Sequence, residues 1–252
     1  TMWQELTQFR YGTQAWQWKN RDICPQLIHT VMQPAIRFNK DDIFDLPPIV
    51  RQYRDCYLTS EQHTAYNAMR DQMIAMTQKG EVIEAVHKAS MMQKLFQIAL
   101  GTAITHEGVA DLDNKDRLNT LLEIIAEASA KTVIFCPYTG VIHRLAKQIA
   151  DAGYSTAVVD GSVTGSKRAR IFDDFQKRSA PQVLIAHPQT TAFGVELAAA
   201  DTMIFNGPPL SGGFIYEQAL ERLSSLKQKA KQISIIQVWA TWEEKKFFKG
   251  LD

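Results

Sequence analysis

The 252-residue chain has almost no net charge: 28 Lys and Arg stand against 27 Asp and Glu, leaving +1. No global pull toward a polyanion follows, so contact with nucleic acid has to come from a local cluster of cations. Cysteine is as sparse. Cys24, Cys56 and Cys136 lie far apart without a CxxC pair, which argues against a disulfide frame or a zinc site and for reduced thiols in the cytoplasm. No apolar run approaches the roughly 18 residues of a membrane helix, and no basic-then-apolar leader is present, so the expectation is a protein neither exported nor embedded. Catalytic signatures are missing too. There is no G-x-x-x-x-G-K-[ST] loop, no HExxH, no GxSxG and no paired-histidine spacing. No apolar strand ends in the Asp-Glu pair that holds magnesium, since Val158-Val159-Asp160 runs on into Gly161. The chain alone is not expected to bind ATP tightly, and no metal site is expected.

What is present is enough apolar residue, 45% of the chain with 22% charged, to bury a real core. From residue 1 to about 108 the pattern is helical and irregular. The first 48 residues, rich in Trp, Tyr, Gln and Arg, read as a loosely packed lead-in that ends at Leu46-Pro47-Pro48, where two prolines force an extended path. A capping box at Thr59 and Gln62 starts a helix that runs to Gly80, with Ala65, Tyr66, Met69, Met73 and Met76 on one face. Helices are expected at about 82–100 and 116–129. From about residue 109 short apolar strands alternate with helices: strands at 132–136, 155–159, 182–186, 202–205 and 233–239, helices after Gly140 and at about 166–178 and 214–226. That grammar predicts a parallel α/β sheet with right-handed crossovers and helices on both faces, preceded by a mainly helical segment. A second capping box, Thr241 with Glu244, opens the last helix. The domains expected are 1–108 and 109–252.

Three groups of residues carry chemistry. Gln218 and Arg222, four apart on one predicted helix, share a face and can address one bound group together. Read in isolation, Arg222 makes a surface ion pair with Glu217 or Glu221. Lys167, Arg168 and Arg170, with Ser162 and Thr164 just before them, form the densest basic cluster of the α/β half, suited to phosphates rather than bases. The bland reading of such a run is a solvated helix face. Thr139, Gly140 and His143 at the preceding turn extend the same strip. Thr190, Thr191 and Gly194 follow a buried strand; the glycine permits close approach of backbone to a phosphate, and the threonines donate to phosphate or cap a helix.

In order and spacing these blocks resemble superfamily 2 helicases and translocases, and within them the Swi/Snf-type ATPases, particularly the compact phage and bacterial form. Lys131 to Tyr138 is similar to the opening strand of the second motor domain. Asp160-Gly161-Ser162 to Gln176 is similar to its next block, Val183 to Asp201 to motif V, and Gln218 to Gln228 to motif VI. Upstream, Met32 to Asp41 with Leu46-Pro47-Pro48 and Leu58-Thr59 resembles the connection between the two motor domains. The resemblance implies a RecA-like fold, and ATP with Mg held mainly by a preceding RecA-like motor domain that these residues do not include. Arg222 and Gln218 would be the catalytic groups reaching the nucleotide, with Gly194 and Glu196 beside it. Thr139, Ser162, Thr164, Lys167, Arg168, Thr190 and Thr191 would line a double-stranded DNA track along the phosphate backbone.

The chain departs from that pattern at three positions. Where the family has a second arginine, usually taken as the finger proper, Ser225 stands; the glycine two residues on is Lys227; an Asn-like position of motif V is Glu196. These departures leave open whether Arg222, Lys227 or another residue serves as the finger, or whether the chain is a hydrolysis-deficient nucleic-acid-binding or regulatory module of the same fold. On the leading expectation it is one motor half, inactive alone.

Overall fold

The computed structural model describes residues 4–8, 16–34, 46–78, 85–105, 108–191, 195–210 and 213–251. The chain divides into two compact units, Thr1–Asp45 and Leu46–Asp252. In the first, β1 (Gln4–Gln8) pairs antiparallel with β2 (Trp16–Asn20), and α1 (Cys24–Met32) follows with Pro25 in its first turn, where a missing N–H costs nothing.

The second unit is built on a six-stranded sheet of order β3-β10-β9-β6-β8-β7. Its strands are β3 (Ile49–Asp55), β6 (Lys131–Phe135), β7 (Thr156–Val159), β8 (Val183–Ala186), β9 (Ala200–Asn206) and β10 (Ile233–Trp239), and every neighbouring pair is parallel. The helices are α2 (Ser60–Gln78), α3 (Ala85–Ala99), α4 (Lys115–Glu127), α5 (Thr139–Asp151), α6 (Gly165–Lys177), the single turn α7 (Pro188–Thr191), α8 (Gly213–Glu221) and α9 (Trp242–Lys249). A small hairpin, β4 (Thr102–Thr105) with β5 (Gly108–Asp111), links α3 to α4.

The central strands read as continuous apolar runs because both faces are covered. Phe135, Phe205 and Ile235 join Phe172, Phe175, Leu220 and Phe248 in one core. Their chain neighbours Ile134, Ile204 and Ile236 join Leu121, Ile124, Ile142 and Leu145 in the other. Successive side chains of a strand point to opposite faces, so one strand feeds both cores. This is the expected parallel α/β sheet. Helices α2 and α3 hold a third core of Tyr66, Leu95, Ile98 and Ala99.

Two features differ from the sequence reading. Compactness breaks at Asp45, not near residue 108, because β3 adds in register to β10 along Ile49–Asp55. At the edge of the sheet β3 alternates between exposed and half-buried residues, a weak apolar signal that conceals its strand character. The helix expected to about Leu226 stops at Glu221, and Arg222 and Leu223 close short bonds to Ala219 and Leu220 instead. The Gln228 amide donates to the Leu223 carbonyl at 3.1 Å and to the Ala200 carbonyl at 2.9 Å, so tertiary partners replace the next helical turn.

Candidate nucleotide and DNA surfaces at opposite ends of the sheet

The sequence-predicted residues fall at two ends of the parallel strands. Thr139 follows the carboxyl end of β6, Ser162 and Thr164 that of β7, and Thr190 that of β8, three adjacent strands. Thr139, Ser162, Thr164 and Lys167 are exposed, while Arg168 is half-buried and donates to the Val163 carbonyl at 3.0 Å. Thr190 commits its single hydroxyl proton within the loop, with its Oγ1 2.7 Å from the His187 carbonyl and 3.1 Å from that of Val159. Thr191 lies in α7, but its side chain, like all of Gly194, lies outside the described residues.

Asp160, buried at the end of β7, organises this edge. Its Oδ1 accepts from the Ser162 hydroxyl at 2.6 Å and the Ser162 N–H at 2.9 Å, and its Oδ2 lies 2.7 Å from His143 Nε2. The Ser162 hydroxyl, with help from its N–H and from His143, holds the carboxyl below its ordinary range against the opposing effect of burial. His187 sits beside it, its imidazole pushed down by burial despite a bond to the Pro137 carbonyl and the nearby Asp160 charge. Sequence reading grouped His143 with this strip but missed its partner. The signal was faint: an Asp directly after an apolar strand and before Gly-Ser.

The other group gathers at the amino ends of β9 and β10. Gln218 lies on α8, half-buried, with its Oε1 enclosed and accepting no hydrogen bond among the described residues. Arg222 follows the last helical residue, half-buried, and its carbonyl accepts from Leu197 N at 3.0 Å. That bond ties the stretch before β9 to the loop before β10. Glu196 spans the same gap: its Oε1 accepts from Ser225 Oγ at 2.8 Å and its Oε2 from Lys227 Nζ at 2.7 Å. Lys227, then burial acting in opposition, then Ser225 set its carboxyl below the usual range. A cleft of about 1240 Å³ opens here, lined among others by Glu127, Ser129, Glu196, Asp201, Lys227 and Lys231.

As holders of a nucleotide these residues fit in part. An enclosed, unsatisfied acceptor on Gln218 asks for a donor, and Arg222 supplies a planar cation one turn on. Glu196 does not fit as a phosphate contact, since both its oxygens are committed. Among the described residues no cluster of three or more His, Cys, Asp or Glu is arranged to hold a metal ion, and no helix is long and apolar enough to cross a membrane.

A six-stranded parallel sheet covered on both faces, with loops at both strand ends carrying the polar groups, is a RecA-like α/β domain. Residues 116–227 match the helicase conserved C-terminal domain. An uncharacterized ATP-dependent helicase of Mycoplasma genitalium is 23% identical over 58% of this chain and 14% of its own length. The C-terminal part of the Fun30 ATPase domain superposes with a TM-score of 0.65 at 17% identity, covering 81% of this chain and 90% of that one. The Sulfolobus solfataricus SWI2/SNF2 ATPase core in complex with dsDNA gives 0.60 at 19% identity, covering 87% and 48%. Residues 116–227 thus resemble a helicase conserved C-terminal domain, and the solved neighbours share the RecA-like fold of the sheet that carries them. It spans only 12 to 14% of the length of the curated relatives it matches.

Proposed function

We propose that this chain is the second motor half of an ATP-dependent double-stranded DNA translocase. The observation that carries the reading is the Leu197 to Arg222 backbone bond, 3.0 Å, which brings the motif V and motif VI segments together at the amino end of the sheet. The residues of the DNA strip follow the opposite ends of the strands, so the two surfaces do not compete. Nucleotide and magnesium, held mainly by a preceding motor domain, supply the cleavable phosphoanhydride and its charge neutralisation. From this chain, Arg222 offers a guanidinium toward the phosphates and Gln218 an amide beside it. Gly194, which the resemblance sets beside the nucleotide, belongs to the same motif V segment but lies outside the described residues. Thr139, Ser162, Thr164, Lys167 and Arg168 hold duplex DNA by its backbone, as befits strand tracking without base readout. Thr190 fixes the turn behind them through its hydroxyl, and Asp160 fixes the loop that presents Ser162. The Sulfolobus solfataricus neighbour was solved with dsDNA, which supports the partner.

The test supplies the chain with a phosphate-binding first motor domain and measures ATP hydrolysis with and without duplex DNA. Stimulated turnover that falls by about a thousandfold in Arg222→Ala is expected. Unchanged turnover in that variant would remove Arg222 from the reaction. A second reading has its own support: Ser225 is engaged with Glu196 and offers no cation, as in a binding or regulatory module without turnover. DNA binding without any stimulated hydrolysis in the assembled protein favours that module.

A further inference from the structure

Three residues that depart from the family pattern, separated by up to 31 positions, meet in one cluster. Glu196 is fixed before its side chain is considered. Its carbonyl accepts from the Gln176 amide, whose oxygen takes the Ala199 N–H at 2.9 Å, and the next N–H, that of Leu197, donates to Arg222. Ser225 works in both directions: its Oγ accepts from Lys227 N at 3.2 Å and donates to Glu196 at 2.8 Å. Glu196 is therefore held by its backbone from α6 and by its carboxylate from the loop after α8. Its second oxygen holds the Lys227 ammonium at 2.7 Å.

An ordinary surface ion pair has two mobile partners and contributes little. Here only one partner is mobile. The Lys227 side chain is 78% exposed and that of Glu196 34%, and an ammonium has three N–H groups, of which Glu196 takes one. The remaining two face solvent at the mouth of the cleft, five residues along the loop from Arg222. The cluster thus presents a cation from a pinned base at the cleft, and the residue after Glu196 ties it to the Arg222 carbonyl.

We infer that Lys227 is the second cation this chain offers to the nucleotide phosphates, in place of an arginine at position 225, and that Glu196 and Ser225 are its positioning residues. This rests on the nucleotide-facing reading of Arg222 given above. No proton or bond changes hands at Lys227: its charge offsets that growing on the transferred phosphoryl oxygens, and Glu196 keeps the stem from sweeping solvent. The side chain at 225 is then a hydroxyl because the carboxylate needs a donor, not a rival cation.

The experiment uses the chain assembled with a first motor domain and needs no variant for its first arm. Lysine acetylation is followed by mass spectrometry with and without a magnesium-bound, non-hydrolysable ATP analogue. Lys227 is expected to be protected about tenfold or more, with Lys167, exposed at the opposite ends of the strands, labelled at an unchanged rate; equal labelling of Lys227 in both states overturns the inference. In single-turnover hydrolysis, Lys227→Ala is expected to slow the reaction about a hundredfold without changing duplex DNA affinity. Adding Ser225→Arg to that variant is expected to restore part of the rate, which a merely structural role would not allow. Normal turnover in Lys227→Ala with a slowed Arg222→Ala sinks the inference and leaves the motor reading intact. An assembled protein that neither binds the analogue nor hydrolyses ATP takes both down.

Discussion

Arg117 and Glu244 form an ion pair sealed from solvent, with one guanidinium nitrogen 2.8 Å from both carboxylate oxygens and side chains 2% and 0% exposed. The pair joins the first turn of α4 to the start of α9. Arg117 also donates to Asn206 Oδ1 at 3.2 Å and to the Val238 carbonyl at 3.3 Å, fastening the carboxyl ends of β9 and β10. Burial is the largest single effect and works against the guanidinium, but the Glu244 charge and hydrogen bond, together with the nearby Cys56 and Cys136, outweigh it and raise its pKa. Removing one partner strands the other charge in the core, so Arg117→Met or Glu244→Gln should each destabilise the chain by about 3–5 kcal/mol. Replacing both with apolar residues of similar volume should cost far less. Urea unfolding of the three variants measures the difference, and equal losses in single and double variants would refute the pairing argument.

Asp160 makes stability depend on acid in a defined direction. Its folded pKa is depressed, so its contribution is fully present above the unfolded carboxylate value of about 3.9 and is lost as pH falls through the folded value. The stability gap between the native chain and Asp160→Asn is therefore expected to be widest at and above about pH 5 and to close below about pH 4. Thermal unfolding across that window reads it. A gap independent of pH would mean that the carboxylate charge is not what holds the Ser162 turn.

Much of this architecture was legible because local chemistry and tertiary structure agree. Thr59 with Gln62 and Thr241 with Glu244 are capping boxes in sequence and in space, with Thr59 N to Gln62 Oε1 at 3.1 Å and Glu244 N to Thr241 Oγ1 at 3.3 Å. The strands of the α/β half announce themselves as apolar runs for the same reason. The hairpins β1–β2 and β4–β5 and the edge strand β3 do not, since short or half-exposed strands carry no continuous apolar signal. Around the candidate site, Gln218 and Arg222 were visible as a spaced pair. The end of α8 between them was not, because Gln228 and Leu197, distant in space until the chain folds, set where the helix stops. Glu196, Ser225 and Lys227 each stood out alone; only the fold reveals that an acid, a hydroxyl and a base are mutual partners.

Gly101 is a place where backbone geometry alone forecasts a mutant. It takes φ +86° after α3, and a Cβ built there would meet the Arg144 guanidinium and lie 2.8 Å from the Asn114 Cβ. Arg144 reaches this turn to donate to the carbonyls of Leu100, at 2.8 Å, and Gly101. Gly101→Ala meets both a left-handed backbone and a clash, so a loss of about 2 kcal/mol or more is expected. Denaturant midpoints of this variant and of Gly153→Ala separate the two costs, because Gly153 has φ +97° with nothing within 4 Å of its Cβ. Equal losses at the two positions would show that crowding by Arg144 contributes nothing.

The basic strip makes a prediction about salt rather than sequence. Lys167 is exposed on the first turn of α6, and Arg168 beside it spends one donor on the Val163 carbonyl. Each phosphate neutralised releases condensed counterions, so the logarithm of affinity falls with the logarithm of salt by about 0.9 per contact. Replacing Lys167 with Ala should flatten that slope by about 1, uniformly across duplex sequences, because the strip reads charge and not bases. Arg168→Ala should do the same and also loosen the Val163 turn, so its loss of affinity at any one salt concentration should exceed that of Lys167→Ala. Fluorescence anisotropy with duplexes of unrelated sequence at several salt concentrations measures both. A slope unchanged in the double variant would exclude the strip from the DNA track, and a loss confined to one duplex sequence would mean that these side chains reach base edges.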